Sequence, residues 1–409
     1  MRSFLFFILY IFSHAVFTQP QLGFVLKENE NKIIIPFELH SNLIVVPLLL
    51  NHQLPLKFII DTGVRNAILT EKTFSDILSI PYNKKYTITG VGGEKLIDAY
   101  VTDAVTLTLP GIEGKGHVLL VLEEDYIELR NFLGTDVHGM IGYEIFSRFT
   151  ITLNYAKRRL ILTRPEKFKP RRKDYALPII IEDTKPYVSV PVTFHNGTKK
   201  ELKLLIDTGA SHGLLLDPES DEKIVVPEKA LDSNIGRGLG GKIEGQIGRV
   251  SSIELGGHII NGVIASFPYP NSYMDSLLAP KVFRNGTIGG ELLSRFTVTL
   301  DYKNGMMYLR KNSNLKRTFY YNTSGILVRA KGSRLEVFEV DEVRPGSPAY
   351  EAGVKKGDWI HTINGVSTED LMLRNINAAL NSKPGKKVRL VLLRQGKMIK
   401  VQFLSASAI

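Results

Sequence analysis

One short segment occurs twice in this chain, and the repetition limits the folds that the remaining sequence can adopt. Residues 58–69 read FIIDTGVRNAIL, and residues 202–216 read LKLLIDTGASHGLLL. In both, an apolar run ends on an aspartate, Asp61 or Asp207, before a Thr-Gly pair and a second apolar run. A strand that ends on a carboxylate and turns at a glycine is unusual for a core element. Two unrelated turns are the simpler alternative, but the repetition favours a duplicated site.

The similarity between the two copies continues after the aspartates. Glycine-rich hairpin tips begin 29 and 31 residues after them, and a glycine preceded by apolar residues follows after 81 and 82 residues. From there, residues 142–155 and 289–302 are identical at 9 of 14 positions. The chain therefore contains a duplicated domain. The tips are Gly90, Val91, Gly92 and Gly93 in the first copy and Gly238, Leu239, Gly240 and Gly241 in the second.

Both copies are predicted to be mostly β, because β-branched and aliphatic runs separated by turn residues dominate them. One short helix is expected in each, near residues 143–146 and 291–293. A basic stretch with two prolines separates the copies and predicts an exposed linker. The predicted boundaries are 1–19 for a signal peptide, 32–163 for lobe 1, 164–175 for the linker, 176–311 for lobe 2 and 322–409 for a third unit.

The N-terminus has the composition of a targeting segment. Arg2 precedes an apolar stretch, residues 4–17, that is short for a membrane span. We expect a secretory signal peptide that is cleaved near residues 15–19, and hence a secreted, periplasmic or cell-envelope protein. An uncleaved membrane anchor is the alternative, because this region lacks a clear small-x-small cleavage triplet.

The amino-acid composition excludes several kinds of functional site. The chain has no cysteine, so it has neither disulfides nor a thiol nucleophile. The net charge of +11 comes from scattered Lys and Arg residues, which favours solvated faces over a nucleic-acid surface. The nine histidines show no HExxH or paired metal spacing, so we predict no metal and no cofactor.

Two aspartates on two copies of one β domain suit a specific kind of catalysis. Two carboxylates about 3 Å apart share one proton, because both cannot ionise cheaply. The ionised member takes a proton from a water held between them, and the protonated member polarises the carbonyl under attack. Such a pair can hydrolyse an amide without a metal or a covalent intermediate. Thr62 and Thr208 would bond across to the facing backbone, and Gly63 and Gly209 would allow the tight turns.

The repeated Asp-Thr-Gly, glycine-rich tip and apolar-apolar-Gly motifs resemble those of the aspartic peptidases. The copies are closer in length to retropepsin-like domains than to pepsin lobes. The resemblance implies two tandem β-barrel lobes that form a pseudo-dimer, with Asp61 and Asp207 as the catalytic pair. It assigns Thr62, Gly63, Thr208 and Gly209 to the supporting motif. The tips at 90–93 and 238–241 would be flaps that close over an extended peptide.

Two residues depart from the family pattern. Val64 and Arg65 stand where Ala or Ser is more usual, whereas Ala210 and Ser211 in copy two fit. Val64 cannot donate a hydrogen bond to an aspartate. Arg65 is expected either at the surface or close enough to lower the pKa of Asp61, which would make Asp61 the ionised partner.

Residues 209–213 also match the G-x-S-x-G nucleophile elbow of serine hydrolases. The elbow requires a helix after the serine, but the sequence predicts a strand at 214–216. The equivalent residues of copy one, 63–67, lack the serine altogether. The repeat thus preserves the aspartate and disfavours the serine-hydrolase interpretation.

The third unit carries the run V-x-P-G-S-P-A-x-x-A-G-V-x-x-G-D-x-I-x-x-I-N-G at residues 343–365. This run resembles a bacterial PDZ domain, which implies a small α+β fold that adds an extended peptide C-terminus as a strand. Gly325, Ile326 and Leu327 would line the peptide groove. The alternative is a domain that only packs on the lobes.

The sequence therefore predicts a secreted aspartic endopeptidase whose PDZ domain recruits or positions protein substrates. Peptides or proteins are the expected partners, nucleic acids are not, and membrane contact is expected only through an uncleaved signal segment. A non-catalytic peptide-binding protein that uses the same cleft and groove is the alternative.

Overall fold

The computed structural model describes residues 22–27, 29–89, 96–270 and 282–409. These residues form two tandem β-rich lobes and a small C-terminal α+β domain, which confirms the predicted fold class. The predicted signal peptide, residues 1–19, and the first glycine-rich tip, residues 90–93, lie outside the described residues. No helix within the described ranges is long and apolar enough to cross a bilayer.

Lobe 1 forms strands where apolar residues alternate or run together. Ile33 and Ile35 are buried in β2, for example, while their neighbours face solvent. The strands are β1 (Gly23–Leu26), β2 (Lys32–Pro36), β3 (Glu38–His40), β4 (Leu43–Leu50), β5 (Leu54–Ile60), β6 (Ala67–Leu69), β7 (Lys84–Thr89), β8 (Leu96–Leu109), β9 (Ile112–Leu122), β10 (Gly139–Ile141), β11 (Thr150–Asn154) and β12 (Arg159–Thr163). The α-helices are α1 (Thr73–Ile77), α2 (Leu129–Leu133) and α3 (Tyr143–Phe146).

Lobe 2 follows a short stretch with one 3-10 turn, Pro165–Lys167, and has a second such turn at Pro218–Ser220. Its strands are β13 (Tyr175–Pro178), β14 (Ile180–Glu182), β15 (Lys185–Thr193), β16 (Lys199–Ile206), β17 (Leu214–Leu216), β18 (Leu231–Gly238), β19 (Gly241–Arg249), β20 (Ser252–Leu255), β21 (His258–Asn261), β22 (Ile264–Pro268), β23 (Gly286–Ile288), β24 (Phe296–Asp301) and β25 (Met306–Lys311). Its α-helix is α4 (Gly290–Leu293).

The two lobes repeat one strand arrangement around the aspartates. In lobe 1, β10 lies between β5, to which it is parallel, and β6, to which it is antiparallel. In lobe 2, β23 lies in the same way between β16 and β17. Asp61 directly follows β5 and Asp207 directly follows β16, so each aspartate leaves its sheet at an equivalent point.

A six-stranded sheet that contains strands of both lobes joins them. Its strand order is β13-β25-β24-β11-β12-β2, so three strands of lobe 2 lie beside three strands of lobe 1 in one hydrogen-bonded layer. At the junction, Ile151 of β11 pairs with Leu300 of β24, and the hydroxyls of Thr152 and Thr299 lie 2.8 Å apart. One continuous apolar core extends through both lobes. The lobes are therefore one folded body.

The structure contains elements that the sequence did not predict. Lobe 1 contains α1 and α2 in addition to the single helix that was predicted for it. Each has five residues, which is too short for a helical period to be recognised. Lobe 1 also begins earlier than residue 32, with β1, and the predicted linker ends inside β13, at Tyr175.

The C-terminal domain has a separate core. Its elements are β26 (Ile326–Lys331), β27 (Val337–Val343), α5 (Pro348–Glu351), β28 (Trp359–Ile363), β29 (Val366–Ser367), a 3-10 turn (Thr368–Asp370), α6 (Leu373–Leu380), β30 (Lys387–Arg394) and β31 (Lys397–Leu404). Helix α6 buries Leu373, Ile376 and Leu380, which share one face at helical spacing. Strand β26 lies at the edge of the sheet, next to β27, in the described part of the domain.

Candidate active site

The two aspartates are fixed by the strand arrangement that the lobes share. The backbone N–H of Asp61 donates to the carbonyl of Ile141 at 2.9 Å, and that of Asp207 donates to Ile288 at 2.9 Å. These bonds continue the parallel pairing of β5 with β10 and of β16 with β23. Each aspartate side chain is therefore held at the end of a rigid strand.

The glycine after each Asp-Thr pair brings its backbone to the carboxylates. The N–H of Gly63 donates to Asp61 Oδ1 at 2.7 Å, and the N–H of Gly209 donates to Asp207 Oδ1 at 2.8 Å. A Cβ on Gly209 would lie 2.2 Å from Cγ of Asp61, in the opposite lobe. Any side chain at 209 would displace Asp61, so glycine is required for close approach of the two loops.

The threonines connect the two loops reciprocally. Thr62 N–H donates to Thr208 Oγ1 at 3.1 Å, and Thr208 N–H donates to Thr62 Oγ1 at 3.0 Å. Each hydroxyl then donates across the junction, Thr62 to the carbonyl of Ile206 at 2.6 Å and Thr208 to that of Ile60 at 2.7 Å. Both threonines are fully buried. These bonds hold the carboxylates face to face.

The pair is electrostatically asymmetric. Burial and then the neighbouring charge of Asp207 raise the pKa of Asp61 from its ordinary value of 3.8 to about 8. Burial also raises the pKa of Asp207, but the Gly209 N–H, Arg284 and a hydrogen bond from Asp61 all act to lower it. Their hydrogen bond to each other raises the pKa of Asp61 and lowers that of Asp207, as expected for carboxylates that share one proton.

The sequence did not indicate two cationic side chains that act on the pair. Lys185, at the start of β15, lowers the pKa of both aspartates, and Arg284 lowers that of Asp207. They lie 22 residues before and 77 residues after Asp207 in the sequence, so only the fold relates them to it. Both belong to lobe 2, which accounts for part of the asymmetry.

Arg65 lies at the surface, one of the two positions expected for it, and forms a contact between the lobes. Its guanidinium lies 3.8 Å from Asp183, and 68% of the side chain is exposed. At the equivalent position of lobe 2, the carbonyl of Ser211 accepts a hydrogen bond from Asn42 at 3.0 Å. Asp183 and Asn42 occupy matching turns, since both have left-handed backbones. The departure from the family pattern thus belongs to a reciprocal lobe contact.

Two buried tyrosines lie within the electrostatic range of the pair. Tyr155 and Tyr302 end the 14-residue segment that the two copies share, and their hydroxyls have no hydrogen-bond partner in the described structure. Burial and the charge of Asp207 raise the pKa of Tyr155. Burial and the charges of Asp61 and Asp207 raise that of Tyr302. Both tyrosines occupy the last position of the duplicated segment, so the repeat could have identified them from the sequence.

The second glycine-rich tip reaches the opposite lobe. Gly238 and Gly241 pair at the end of the β18–β19 hairpin. Leu239, at the tip, packs against an apolar cluster of lobe 1 that includes Leu133 and Met140. The hairpin therefore bridges from lobe 2 to lobe 1. The first tip cannot be compared with it, because residues 90–93 lie outside the described residues.

The serine-hydrolase motif lacks its structural context. Ser211 is exposed, and the chain continues into strand β17 instead of a helix. The neighbouring imidazole of His212 is partly buried, and its Nε2 has no partner in the described structure, so it does not activate the serine. Across the described ranges, no group of three or more His, Cys, Asp or Glu residues is placed to hold a metal ion.

The predicted groove residues of the C-terminal domain lie at the start of its edge strand. The backbone N–H of Gly325 donates to Asn322 Oδ1 at 2.9 Å, and that of Ile326 donates to Ser324 Oγ at 3.1 Å. Both N–H groups are therefore bonded to side chains within the loop. Leu327 follows with a side chain that is 36% exposed.

Comparison with known proteins agrees with this architecture. Residues 46–145 and 190–282 match the aspartyl protease family, and residues 339–394 match the PDZ domain family. A protein from Lactococcus lactis subsp. lactis that carries the name of a zinc metalloprotease is 38% identical over 58 residues. That alignment covers 14% of this chain and 13% of the relative, so it transfers no activity.

Replacing Asp207 with asparagine should weaken the pH dependence of stability. Between pH 3.8 and about 8, folded Asp61 keeps a proton that it loses on unfolding, so stability falls as the pH rises. Asp207→Asn removes the charge that helps to raise this pKa, and the decrease should become shallower. Urea unfolding between about pH 5 and pH 8 measures the slope, with the exposed Asp103→Asn as the matched control. An unchanged slope would contradict the shared proton.

Proposed function

We propose that this chain, which carries two retropepsin-like aspartyl protease lobes and a C-terminal PDZ domain, is an aspartic endopeptidase. Its substrates would be extended segments of peptides or proteins. The observation that carries the proposal is the pairing of Asp61 and Asp207 at the lobe junction, where the two carboxyl groups are close enough to hydrogen-bond to each other. A structural turn has no need of two carboxylates in contact, one buried and one half-buried, because burying charge is unfavourable.

The proton distribution assigns the two chemical roles. We assign Asp207 as the ionised member, because the hydrogen bond between the two carboxyls lowers its pKa and raises that of Asp61. It would take a proton from a water molecule held between the carboxylates. The water oxygen then attacks the scissile carbonyl carbon, while protonated Asp61 gives its proton to the carbonyl oxygen. Asp207 next returns its proton to the nitrogen, the C–N bond breaks, and a hydroxyl proton of the intermediate returns to Asp61. The dyad is regenerated without a metal or an acyl-enzyme.

The second flap would supply the enclosure that this chemistry needs. Leu239 already contacts lobe 1, and we propose that the β18–β19 hairpin covers the cleft from the lobe 2 side. A substrate must therefore enter while this hairpin is raised, or from an open end of the cleft. Closure over the substrate would exclude bulk water and strengthen the electrostatic interactions in the site.

Asp207→Asn should abolish peptide hydrolysis, with kcat reduced by roughly a thousand-fold or more, because the general base is lost. Ser211→Ala, in the same loop, should leave kcat and KM unchanged. A transition-state mimic with a central hydroxyl should inhibit the wild type. The measurement is cleavage of an unstructured protein substrate, followed by mass spectrometry of the products. Activity that survives Asp207→Asn but not Ser211→Ala would contradict the proposal.

A non-catalytic peptide-binding protein is the second candidate, because the cleft and the PDZ domain would suit it equally. Tight binding of peptides by the wild type, with no cleavage of any of them, would favour it. The complete dyad argues against it, since a binding protein gains nothing from a shared proton.

We also propose that the chain is exported, on the basis of its N-terminal sequence. Secretion or transfer to a periplasm would expose the lobes to an environment in which the lack of cysteine avoids unwanted disulfides. N-terminal sequencing of the protein from its native host should find a start near residues 16–20. An intact N-terminus on a membrane-associated protein would instead indicate an uncleaved anchor.

A further inference from the structure

A segment of lobe 1 lies against the edge strand and one helix of the PDZ domain. Residues 128–134, which contain α2 and which we call the groove segment, lie against β26 and the start of α6. Asn131 Nδ2 donates to the carbonyl of Ala330 at 2.8 Å, and the Arg130 guanidinium donates to the carbonyl of Ser333. These bonds connect the groove segment to the edge strand of the domain and to the turn that follows it.

The contacts imitate those of an added peptide strand. Strand β26 is at the sheet edge, and the carbonyl of Ala330 accepts from a side-chain amide the bond that a backbone N–H would otherwise supply. On the helix side, Gly134 lies so near Leu373 that an added Cβ would be 2.4 Å from the Cβ of Leu373. An extended polypeptide and the groove segment therefore compete for the same carbonyl and the same helix surface.

The other side of the groove segment contacts the second flap. Arg237, immediately before the flap tip, pairs with Glu128 at 2.9 Å. Its guanidinium also lies 4.9 Å from the centre of the Phe132 ring. Both partners of Arg237 belong to the groove segment, so the flap and the PDZ domain are joined through it.

An apolar cluster strengthens this connection. Leu133 of the groove segment is buried in the apolar cluster of lobe 1 that also includes Met140, and Leu129 packs against the same cluster. Leu239, at the flap tip, packs there too. A displacement of the groove segment would therefore remove both the ion pair and part of the apolar surface that keep the flap on lobe 1.

We propose that the groove segment is a resident occupant of the PDZ groove, and that an extended polypeptide displaces it and releases the second flap. The polypeptide would add to β26 as an antiparallel strand. This regulation rests on the proposed peptidase function, because the released flap opens the cleft above Asp61 and Asp207. A resident occupant also lowers the apparent affinity for the incoming chain by the fraction of time that the groove is filled.

The first test measures peptide binding without cleavage. The full chain carrying Asp207→Asn is titrated into a fluorescein-labelled peptide of about ten residues, rich in valine and threonine and ending in a free valine. Adding Asn131→Ala should tighten binding roughly two- to ten-fold, because one hydrogen bond of the competing segment is lost. The matched control is Asn261→Ala, an exposed asparagine in β21, at the opposite edge of the lobe 2 sheet from β18.

The second test measures the release of the flap by hydrogen exchange. The peptide should slow exchange in β26 and accelerate it in β18 and β19. Glu128→Gln, which removes the ion pair but keeps the side-chain shape, should accelerate exchange in these flap strands without peptide. Combining Glu128→Arg with Arg237→Glu should restore slow exchange, which a general loss of structure would not do.

The outcomes separate the two proposals. Equal peptide affinity in the Asn131→Ala and Asn261→Ala proteins, or no binding to either, would overturn the resident occupant. Protection of β26 with unchanged exchange in β18 and β19 would overturn the coupling to the flap. If both tests give the expected results but the wild type cleaves nothing, the coupling is supported and the peptidase proposal is wrong.

Discussion

The reciprocal hydrogen bonds of Thr62 and Thr208 are the interaction on which the rest of the site depends. They cross the lobe junction in both directions and hold the carboxylates of buried Asp61 and half-buried Asp207 in contact. Two unit charges 4 Å apart repel by about 4 kcal/mol at an effective dielectric constant of 20. Four hydrogen bonds worth about 1 kcal/mol each only match that repulsion, so a shared proton is needed as well. The fold and the chemistry therefore require the same protonation state.

The duplicated fold makes the surroundings of the two aspartates nearly symmetric, but cationic residues of lobe 2 make them unequal. Equivalent strands, glycines and turns surround Asp61 and Asp207, but the cationic Lys185 and Arg284 both come from lobe 2. The asymmetry between the lobes extends beyond the aspartates, because the flap of lobe 2 is joined through the groove segment to the PDZ domain. Each lobe thus keeps the common strand arrangement. The residues that supply the nearby positive charge and the proposed regulation have no counterpart in the other copy.

The sequence predicted much of the site, because the site is built from local motifs. Asp61, Asp207 and their threonines and glycines are each recognisable within a few residues of chain, and α3 lies at the predicted residues. The shared sheet could not be predicted, since periodicity indicates a strand but not its partner, and β11 pairs with a strand about 150 residues away. The partner of Arg65 and the position of the groove segment could not be predicted for the same reason, because both depend on contacts between lobes or domains.

The pH dependence of kcat/KM for a cleaved peptide tests the central claim most directly, because it reports the protonation of the free enzyme. The account requires one proton on the pair, and Asp61 holds it up to about pH 8. We therefore expect activity at neutral pH and a descending limb near pH 8, with an apparent value that belongs to the pair. A descending limb below about pH 5, near the ordinary pKa of a carboxyl group, would contradict the raised pKa of Asp61.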